Sequence, residues 1–253
     1  MHATMRRPEI YEEIGGSYTA TRREDSRIGA QIWDAIGDGR SVVNVGAGTG
    51  SYEPTGCDVI AVEPSSTMLS QRSPQSSPAV RAVAERLPFD DDTFDVAMAV
   101  LTIHHWTDPI VGLRELRRVS GRQVIFYFEP LRTHSFWGLE YFPEAAQVAS
   151  EHDAPGEETL AKALDLSEIR PVLVPADCRD GFGVAFWARP EAYTDPVVQA
   201  GMSWLALLPD QDRARGTARL ADDLATGEWD RRYGHLRQQD TYDGGYRIAI
   251  AGR

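Results

Sequence analysis

A glycine-rich turn directly after an apolar run is the segment of this sequence best suited to binding chemistry. The apolar run at 41–45 leads into Gly-Ala-Gly-Thr-Gly at 46–50, and glycines let the backbone approach a ligand because they carry no side chain. A second apolar run, at 58–62, ends at Glu63, whose two carboxylate oxygens can accept hydrogen bonds from both hydroxyls of a ribose. This layout is typical of a nucleoside-binding α/β unit.

The spacing of the glycines distinguishes between nucleoside cofactors. A dinucleotide fingerprint requires G-x-G-x-x-G, in which the third glycine allows the helix and the strand to pack closely. In this chain the third glycine comes one residue early, at Gly50, and Ser51 occupies the fingerprint position. The pattern therefore disfavours an NAD(P)-dependent oxidoreductase, which stays open as an alternative.

Strands and helices alternate around this turn. Apolar runs predict seven strands, at 41–45, 58–63, 79–83, 94–100, 123–128, 171–176 and 246–251. Helices are predicted from an apolar stripe that begins at Ile28, from Pro64, and from Asp108 as an N-cap followed by Pro109. The alternation predicts an α/β fold with a Rossmann-like, mostly parallel seven-stranded sheet and helices on both faces.

The turn also carries a family resemblance. The pattern G-x-G-x-G, with Asn44 two residues upstream, resembles motif I of the class I S-adenosylmethionine-dependent methyltransferases. Glu63 and the segments 84–89, 94–96 and 104–106 match UbiE-like (type 11) small-molecule methyltransferases in order and spacing. The resemblance covers roughly residues 40–130, and the last strand more weakly. It implies S-adenosyl-L-methionine as cofactor and in-line transfer of its methyl group to an O, N or C nucleophile of a small molecule.

The same resemblance implies roles for individual residues of the cofactor site. Gly46 and Gly48 would line the methionine part of the cofactor, and Glu63 would bind the ribose. Met68 would pack on the adenine face, where sulfur against an aromatic ring is favourable, and the backbone N–H of Ala84 would bind the adenine edge. The other predicted members of this site are Ala47, Pro64, Glu85 and Leu101.

One position departs from the family pattern. Related enzymes often carry an aspartate just before the alanine at 84, where it takes the adenine amino group, and this chain has Val83 there. Either Glu85 substitutes for the aspartate, or backbone groups suffice.

The first 26 residues are predicted to form a lid over the cofactor, as an N-terminal helix does in related enzymes. A tyrosine hydroxyl or an arginine there could hold the cofactor carboxylate, and Tyr18 and Arg23 are preferred over their neighbours Tyr11 and Arg22. The alternative is an ordinary surface helix.

The sequence His104-His105-Trp106 follows the fourth strand. A histidine suits general base catalysis at neutral pH, and His105 is the predicted base because Trp106 is expected to pack inward. His104 is predicted to contact the substrate. The alternative is that the histidines only contact the cofactor or cap the next helix, since a sulfonium is already an excellent leaving group.

Aromatic residues are predicted to form the pocket for the methyl acceptor, because such a pocket must be dry and shaped. The candidates are Phe136, Trp137, Tyr141 and Phe142; the alternative is that they belong to the core.

The chain is predicted to be one domain, 1–253, in which insertions at 131–168 and 181–240 cover the ligand edge of the sheet.

Composition limits the class of protein. An apolar fraction of 42% suffices for a full core, and a net charge of −12 disfavours a nucleic-acid partner. The two cysteines form no C-x-x-C pair, which suits a reduced cytoplasmic setting. The longest apolar runs fall short of the ~20 residues that span a bilayer, so no membrane partner is expected. The histidines lack metal-ligand spacing, so no metal is predicted. A non-catalytic S-adenosylmethionine or nucleoside binder is the last alternative.

Overall fold

A seven-stranded sheet forms the centre of the protein. The computed structural model describes residues 22–133, 135–148 and 152–252. The strands of this part of the chain are β1 (Ser41–Val45), β2 (Asp58–Val62), β3 (Ala79–Val80), β4 (Phe94–Val100), β5 (Ser120–Phe128), β6 (Leu166–Pro171), β7 (Val174–Pro175), β8 (Thr241–Tyr242) and β9 (Tyr246–Gly252). The order in the large sheet is β3-β2-β1-β4-β5-β9-β6, and β7 pairs separately with β8.

The sheet is mostly parallel, as predicted. Strands β1 to β5 are paired in parallel, whereas β9 runs antiparallel to both β5 and β6. Because the chain builds β1, β2 and β3 toward one edge and then returns to β4 and β5, the strand order reverses between β1 and β4. Ligands of open α/β sheets bind at such a reversal, beyond the carboxyl ends of the strands.

Helices cover the sheet and its carboxyl edge. They are α1 (Ser26–Ile36), α2 (Ser66–Ser70), α3 (Pro109–Val119), α4 (Pro130–Thr133), α5 (Gly138–Tyr141), α6 (Glu157–Ala163), α7 (Pro196–Ala200), α8 (Ser203–Ala206), α9 (Asp210–Thr226) and α10 (Glu228–Tyr233). Short 3-10 turns lie at Ile103–His105, Pro143–Gln147, Pro190–Thr194 and Gly234–Gln238. Helix α3 begins as predicted, because the carboxylate of Asp108 accepts from the N–H of Val111 at 3.1 Å.

The alternating side chains of the strands divide the core between the two faces of the sheet. On one face Val42 and Val96 pack with the apolar stripe of α1 and with the aromatic segment after β5. On the other face Val43 and Ala97 pack with α3 and α6. Burial on both faces explains why β1 and β4 are continuous apolar runs.

Several predicted boundaries differ from the structure. The helix expected from Pro64 begins at Ser66, because Ser65 caps it by accepting from the N–H of Met68 at 3.2 Å. The strand expected at 79–83 is only two residues long, and the one expected at 123–128 begins at Ser120. The strand expected at 171–176 lies earlier in the chain: β6 of the large sheet ends at Pro171, and β7, at Val174–Pro175, belongs to the small ribbon.

Among the described residues, no helix is long and apolar enough to cross a membrane.

Candidate active site

The turn after β1 lies where the strand order reverses, and it requires glycine. Gly46, Gly48 and Gly50 have φ angles of +73°, +53° and +102°, a backbone region that residues with a side chain rarely adopt. A Cβ at position 46 would also lie 2.1 Å from Oγ1 of Thr102. The N–H of Gly46 donates to the carbonyl of Val62 at 2.8 Å, which fixes the turn against β2.

Glu63 lies beside this turn, at the end of β2. Its side chain is only 6% exposed, and its carboxylate accepts from the N–H of Gly48 at 2.8 Å and from that of Ser65 at 2.9 Å. These two hydrogen bonds hold the carboxylate of Glu63 in a fixed orientation at the turn.

A buried ion pair between Arg72 and Glu53 supports the glycine-rich turn. Arg72 donates to the carboxylate of Glu53 at 2.8 Å and to the carbonyl of Gly48 at 3.4 Å. The side chains of both charged residues are at most one-tenth exposed. The sequence analysis missed both, because their separation in the chain gives no signal of the contact.

A cavity of about 880 Å³, counting its open mouth, extends from this turn along the carboxyl edge. Its lining includes nine of the predicted cofactor residues, Gly46, Ala47, Gly48, Glu63, Pro64, Met68, Ala84, Glu85 and Leu101. Asn44 also lines it, and in the described part of the chain its buried Oδ1 has no hydrogen-bond partner. A bare glycine turn, a fixed carboxylate and an available amide oxygen fit a nucleoside with a polar tail.

The same cavity is lined by Val83, which stands where related enzymes often carry an aspartate. This side chain is 40% exposed and lines the cavity. Glu85 accepts from the N–H groups of Thr107 and Asp108 at 2.7 and 3.0 Å through one carboxylate oxygen. Glu85 thus holds the start of α3, and its contact with adenine stays a prediction.

A second cavity, of about 790 Å³ with its mouth, adjoins the first. Arg22 and Leu101 line both cavities. Leu101 has a φ of +49°, uncommon for a residue with a side chain, and its N–H donates to the carbonyl of Phe126 at 2.7 Å. Unfavourable backbone conformations of this kind cluster at functional sites, and here one forms the boundary between two cavities.

The two histidines after β4 face different cavities. His105, the predicted base, lines the first cavity, whereas His104 lines the second. Both are buried, and their ring centroids are 3.8 Å apart. Because a base must reach the acceptor nucleophile, the geometry favours His104 over His105 for that role. Trp106 packs inward, with its ring against Gly112.

Arg22, and not the predicted Arg23, is the arginine of this segment that lines the two cavities. Arg23 is exposed, whereas Arg22 lines both cavities and donates to Asp180 from Nε at 2.5 Å and from Nη2 at 3.2 Å. Asp180 is 1% exposed and also accepts from the hydroxyl of Tyr52 at 2.9 Å. The preference for Arg23 is corrected on this point, because the partner that orients the guanidinium lies 158 residues away. Tyr18 lies outside the described residues.

The second cavity has aromatic walls, and Phe136 is the predicted aromatic residue that lines it. Trp137, Tyr141 and Phe142 are packed in the core instead. Trp137 donates from Nε1 to the carbonyl of Trp187 at 2.9 Å. His104, which was predicted to contact the substrate, also lines this cavity. The other aromatic residues of the cavity, which the sequence analysis missed, are Phe128, Phe182, Trp204 and Tyr246.

In the described part of the chain, no group of three or more His, Cys, Asp or Glu side chains could hold a metal ion.

The fold and the site define an α/β nucleoside-binding protein with an adjoining acceptor-sized cavity. A model of the methyltransferase domain family matches residues 43–128. A crystal structure from Anabaena variabilis, described as a methyltransferase from an antibiotic biosynthesis pathway, is similar with a TM-score of 0.83 and 31% identity. The similarity covers 92% of this chain and 99% of that one.

Curated relatives share a shorter region. A demethylmenaquinone methyltransferase of Mycobacterium sp. (strain JLS) is 32% identical over 133 residues, which are 47% of this chain and 58% of that protein. The UbiE ubiquinone/menaquinone C-methyltransferase of Idiomarina loihiensis is 33% identical over 94 residues, 34% of this chain and 37% of that protein. The match thus spans little more than half of the first relative and about a third of the second.

The chain belongs to the class I S-adenosylmethionine-dependent methyltransferases. The cofactor that this family implies is S-adenosylmethionine.

Proposed function

We propose that the protein transfers the methyl group of S-adenosylmethionine to an O, N or C nucleophile of a small molecule. The observation that carries the proposal is the shared boundary between the two cavities, which is formed by Arg22 and Leu101. One cavity has the polar groups of a nucleoside site and the other is mainly apolar. A cofactor and an acceptor in adjoining cavities are placed for direct transfer between them.

The residues of the first cavity would hold the cofactor by its separate parts. Glu63 would accept from the ribose hydroxyls, and the turn at Gly46 and Gly48 would contact the methionine part. Arg22 would bind the carboxylate of the cofactor at the boundary of the cavities. Among the described residues that line the first cavity, it is the one with a Lys or Arg side chain. Met68 lies 3.2 Å from the point that a Cβ on Gly48 would occupy, so its thioether is close to the turn.

Bound S-adenosylmethionine supplies a methyl group on a sulfonium, and in-line displacement by the acceptor leaves S-adenosylhomocysteine. The protein would orient the nucleophile and exclude water. His104, on the acceptor side, would take the proton that an O or N nucleophile loses. The apolar walls of the second cavity would keep water from the reacting groups.

We also propose that residues 131–168 and 181–240 act as a cap for the acceptor within one domain. The supporting observation is that Phe136, Phe182 and Trp204 come from these segments and line one cavity. An exception is the start of β6 at Leu166, which belongs to the central sheet. A small-molecule acceptor and a cytoplasmic location stay predictions.

Calorimetric titration with S-adenosylmethionine, S-adenosylhomocysteine and NAD, each alone, is the first test. We expect micromolar binding of the first two and no binding of NAD. Binding of NAD alone would favour the oxidoreductase alternative and contradict the proposal. A panel of small molecules with methyl-labelled cofactor is the second step, and binding of cofactor without transfer to any acceptor would favour the non-catalytic alternative.

A further inference from the structure

The walls of the acceptor cavity are two groups of aromatic rings. On one side Phe128 contacts His104 and Tyr246 with centroid distances of 4.9 and 6.4 Å, and Phe182 contacts Tyr246 at 4.6 Å. On the other side lies Trp204. Aromatic walls bind flat rings by stacked or edge-to-face contacts.

The ring of Trp204 is held in place by its neighbours. Phe136, Phe142 and Tyr193 contact it with centroid distances of 6.3, 5.8 and 6.0 Å. The residue is 6% exposed. Its indole nitrogen therefore occupies a fixed position at the cavity wall.

The indole N–H of Trp204 is available to a ligand. Within residues 22–133, 135–148 and 152–252, no oxygen accepts from it. By contrast, the indole N–H groups of Trp33, Trp137 and Trp187 donate to backbone carbonyls at 2.9 to 3.1 Å. An indole nitrogen can only donate. Nε1 of Trp204 is open to the cavity, unlike Nε1 of Trp229, which is buried without a partner in the described chain, so a ligand atom in the cavity can accept a hydrogen bond from it.

Gly183 lets two polar groups approach the backbone of the cavity wall. A Cβ at this position would lie 3.6 Å from Nε1 of Trp204 and only 2.8 Å from the hydroxyl oxygen of Tyr246, which is too close for a carbon atom. All three residues line the cavity. The wall at Gly183 therefore presents the indole nitrogen and the hydroxyl beside bare backbone.

The charge around the cavity selects a neutral ligand. Of the described residues that line the cavity, one has a permanently charged side chain, namely Arg22. Its positive charge is balanced by the carboxylate of Asp180. An acceptor with an additional phosphate or ammonium group would find no separate counter-charge among these residues.

We propose that Trp204 determines acceptor specificity by donating a hydrogen bond to a neutral hydroxyl or carbonyl oxygen on a flat, aromatic methyl acceptor. The subsite for this oxygen is the part of the cavity wall formed by Gly183, Trp204 and Tyr246. The inference rests on the proposed function, because it assigns the second cavity to the methyl acceptor.

Two probes of similar shape test the subsite. 2-Naphthol carries an oxygen where 2-methylnaphthalene carries a methyl group, so the ratio of their dissociation constants reports the contribution of that oxygen. Equilibrium dialysis of both probes, with saturating S-adenosylhomocysteine, should be made on the wild type, Trp204→Phe and Trp229→Phe. The last is a matched control, because the buried Nε1 of Trp229 also lacks a hydrogen-bond partner in the described chain, but it lies outside the cavity lining.

We expect Trp204→Phe to reduce the preference for 2-naphthol about tenfold, the effect of one hydrogen bond, and Trp229→Phe to leave it unchanged. A reduction below about threefold, or an equal reduction in both variants, would overturn the inference. Gly183→Ala, which keeps the tryptophan but places a Cβ 3.6 Å from its Nε1, should weaken 2-naphthol binding more than 2-methylnaphthalene binding; an equal effect on both would also count against the inference. Failure of S-adenosylhomocysteine to bind would instead refute the proposed function.

Discussion

Arg22 and Asp180 form a buried ion pair between segments that are 158 residues apart in the chain. The guanidinium donates to both carboxylate oxygens, at 2.5 and 3.2 Å. The hydroxyl of Tyr52, which follows the glycine-rich turn, donates to the same carboxylate at 2.9 Å. Burial raises the pKa of the Tyr52 phenol well above its ordinary value, so this hydroxyl stays a donor. Asp180 therefore links Arg22, which lines both cavities, to Tyr52, which follows the glycine-rich turn.

Arg22→Gln should weaken S-adenosylmethionine binding by about ten- to a hundredfold, because a charge-assisted hydrogen bond is worth about 1.5–3 kcal/mol. Calorimetry of the variant gives the change directly. Arg23→Gln, which alters the exposed neighbour, should bind like the wild type, and equal losses in both variants would refute the assignment to Arg22.

The same variant should also lose stability, because it leaves the carboxylate of Asp180 buried and unpaired. The double variant Arg22→Gln with Asp180→Asn removes both charges and should recover stability in denaturant unfolding without recovering cofactor affinity. Recovery of affinity together with stability would show that Arg22 acts only through the fold.

Glu63→Gln should weaken S-adenosylmethionine binding by about tenfold or more, because an amide keeps only one acceptor oxygen and loses the negative charge. Asp58→Asn is the matched control, since Asp58 is exposed at the opposite end of β2. Calorimetric titration of both variants should show a loss only in Glu63→Gln. Unchanged affinity there would remove Glu63 from the ribose site.

Gly46→Ala should be more harmful than Gly227→Ala, although both glycines have similar φ angles, +73° and +77°. A left-handed backbone costs a residue with a Cβ about 1–2 kcal/mol, and both variants carry this cost. Only at Gly46 would the Cβ also collide with Thr102, since nothing lies within 4 Å of a Cβ at Gly227. Thermal unfolding measures the difference.

Adding Thr102→Ala to Gly46→Ala removes two of the three nearest atoms, Oγ1 and Cγ2, and should recover part of the lost stability. If Gly46→Ala and Gly227→Ala proved equally stable, the close approach of Thr102 would have no energetic importance.

His104→Gln and His105→Gln should separate the two cavities. His105 lines the first cavity, so its variant should weaken S-adenosylhomocysteine binding, whereas His104→Gln should weaken 2-naphthol binding. Dialysis of both ligands against both variants makes the comparison. The reverse result would restore His105 as the residue nearer to the acceptor.

Asp25→Ala should lower the free energy of unfolding by about 1–2 kcal/mol, because Asp25 is the N-cap of α1. Its carboxylate accepts from the side chain and the N–H of Arg27, at 2.9 and 3.0 Å from Nε and the backbone. These contacts, the side chain of Arg27 first, lower the pKa of Asp25 from its ordinary 3.8 to about 2.

Because the pKa is lowered in the folded state, the contribution of Asp25 is fully present above about pH 4 and is lost as the pH falls toward 2. Denaturant unfolding of the wild type and Asp25→Ala should therefore differ at pH 6 and converge in strong acid. A difference that is independent of pH would contradict the role of the charged carboxylate.

The sequence by itself determined the sheet and most of the cofactor edge. Buried strands such as β1 and β4 can be predicted from the sequence because each is a continuous local run of apolar residues. Gly46 and Gly48 are readable because a left-handed turn next to a ligand needs residues without a side chain. Glu63 follows from its place at the end of β2, since the carboxyl ends of parallel strands meet at one edge.

Only the tertiary structure decided which residues complete the site. The choice of Arg22 over Arg23 depends on Asp180, and the assignment of His104 to the acceptor side depends on how a 3-10 turn is oriented after β4. Trp204 and Phe136 reach one cavity, whereas Trp137 and Phe142 lie in the core. Residue type and spacing are alike in these pairs, so the local sequence holds no signal that separates their members. Contacts between distant segments decide which side chain faces a cavity and which does not.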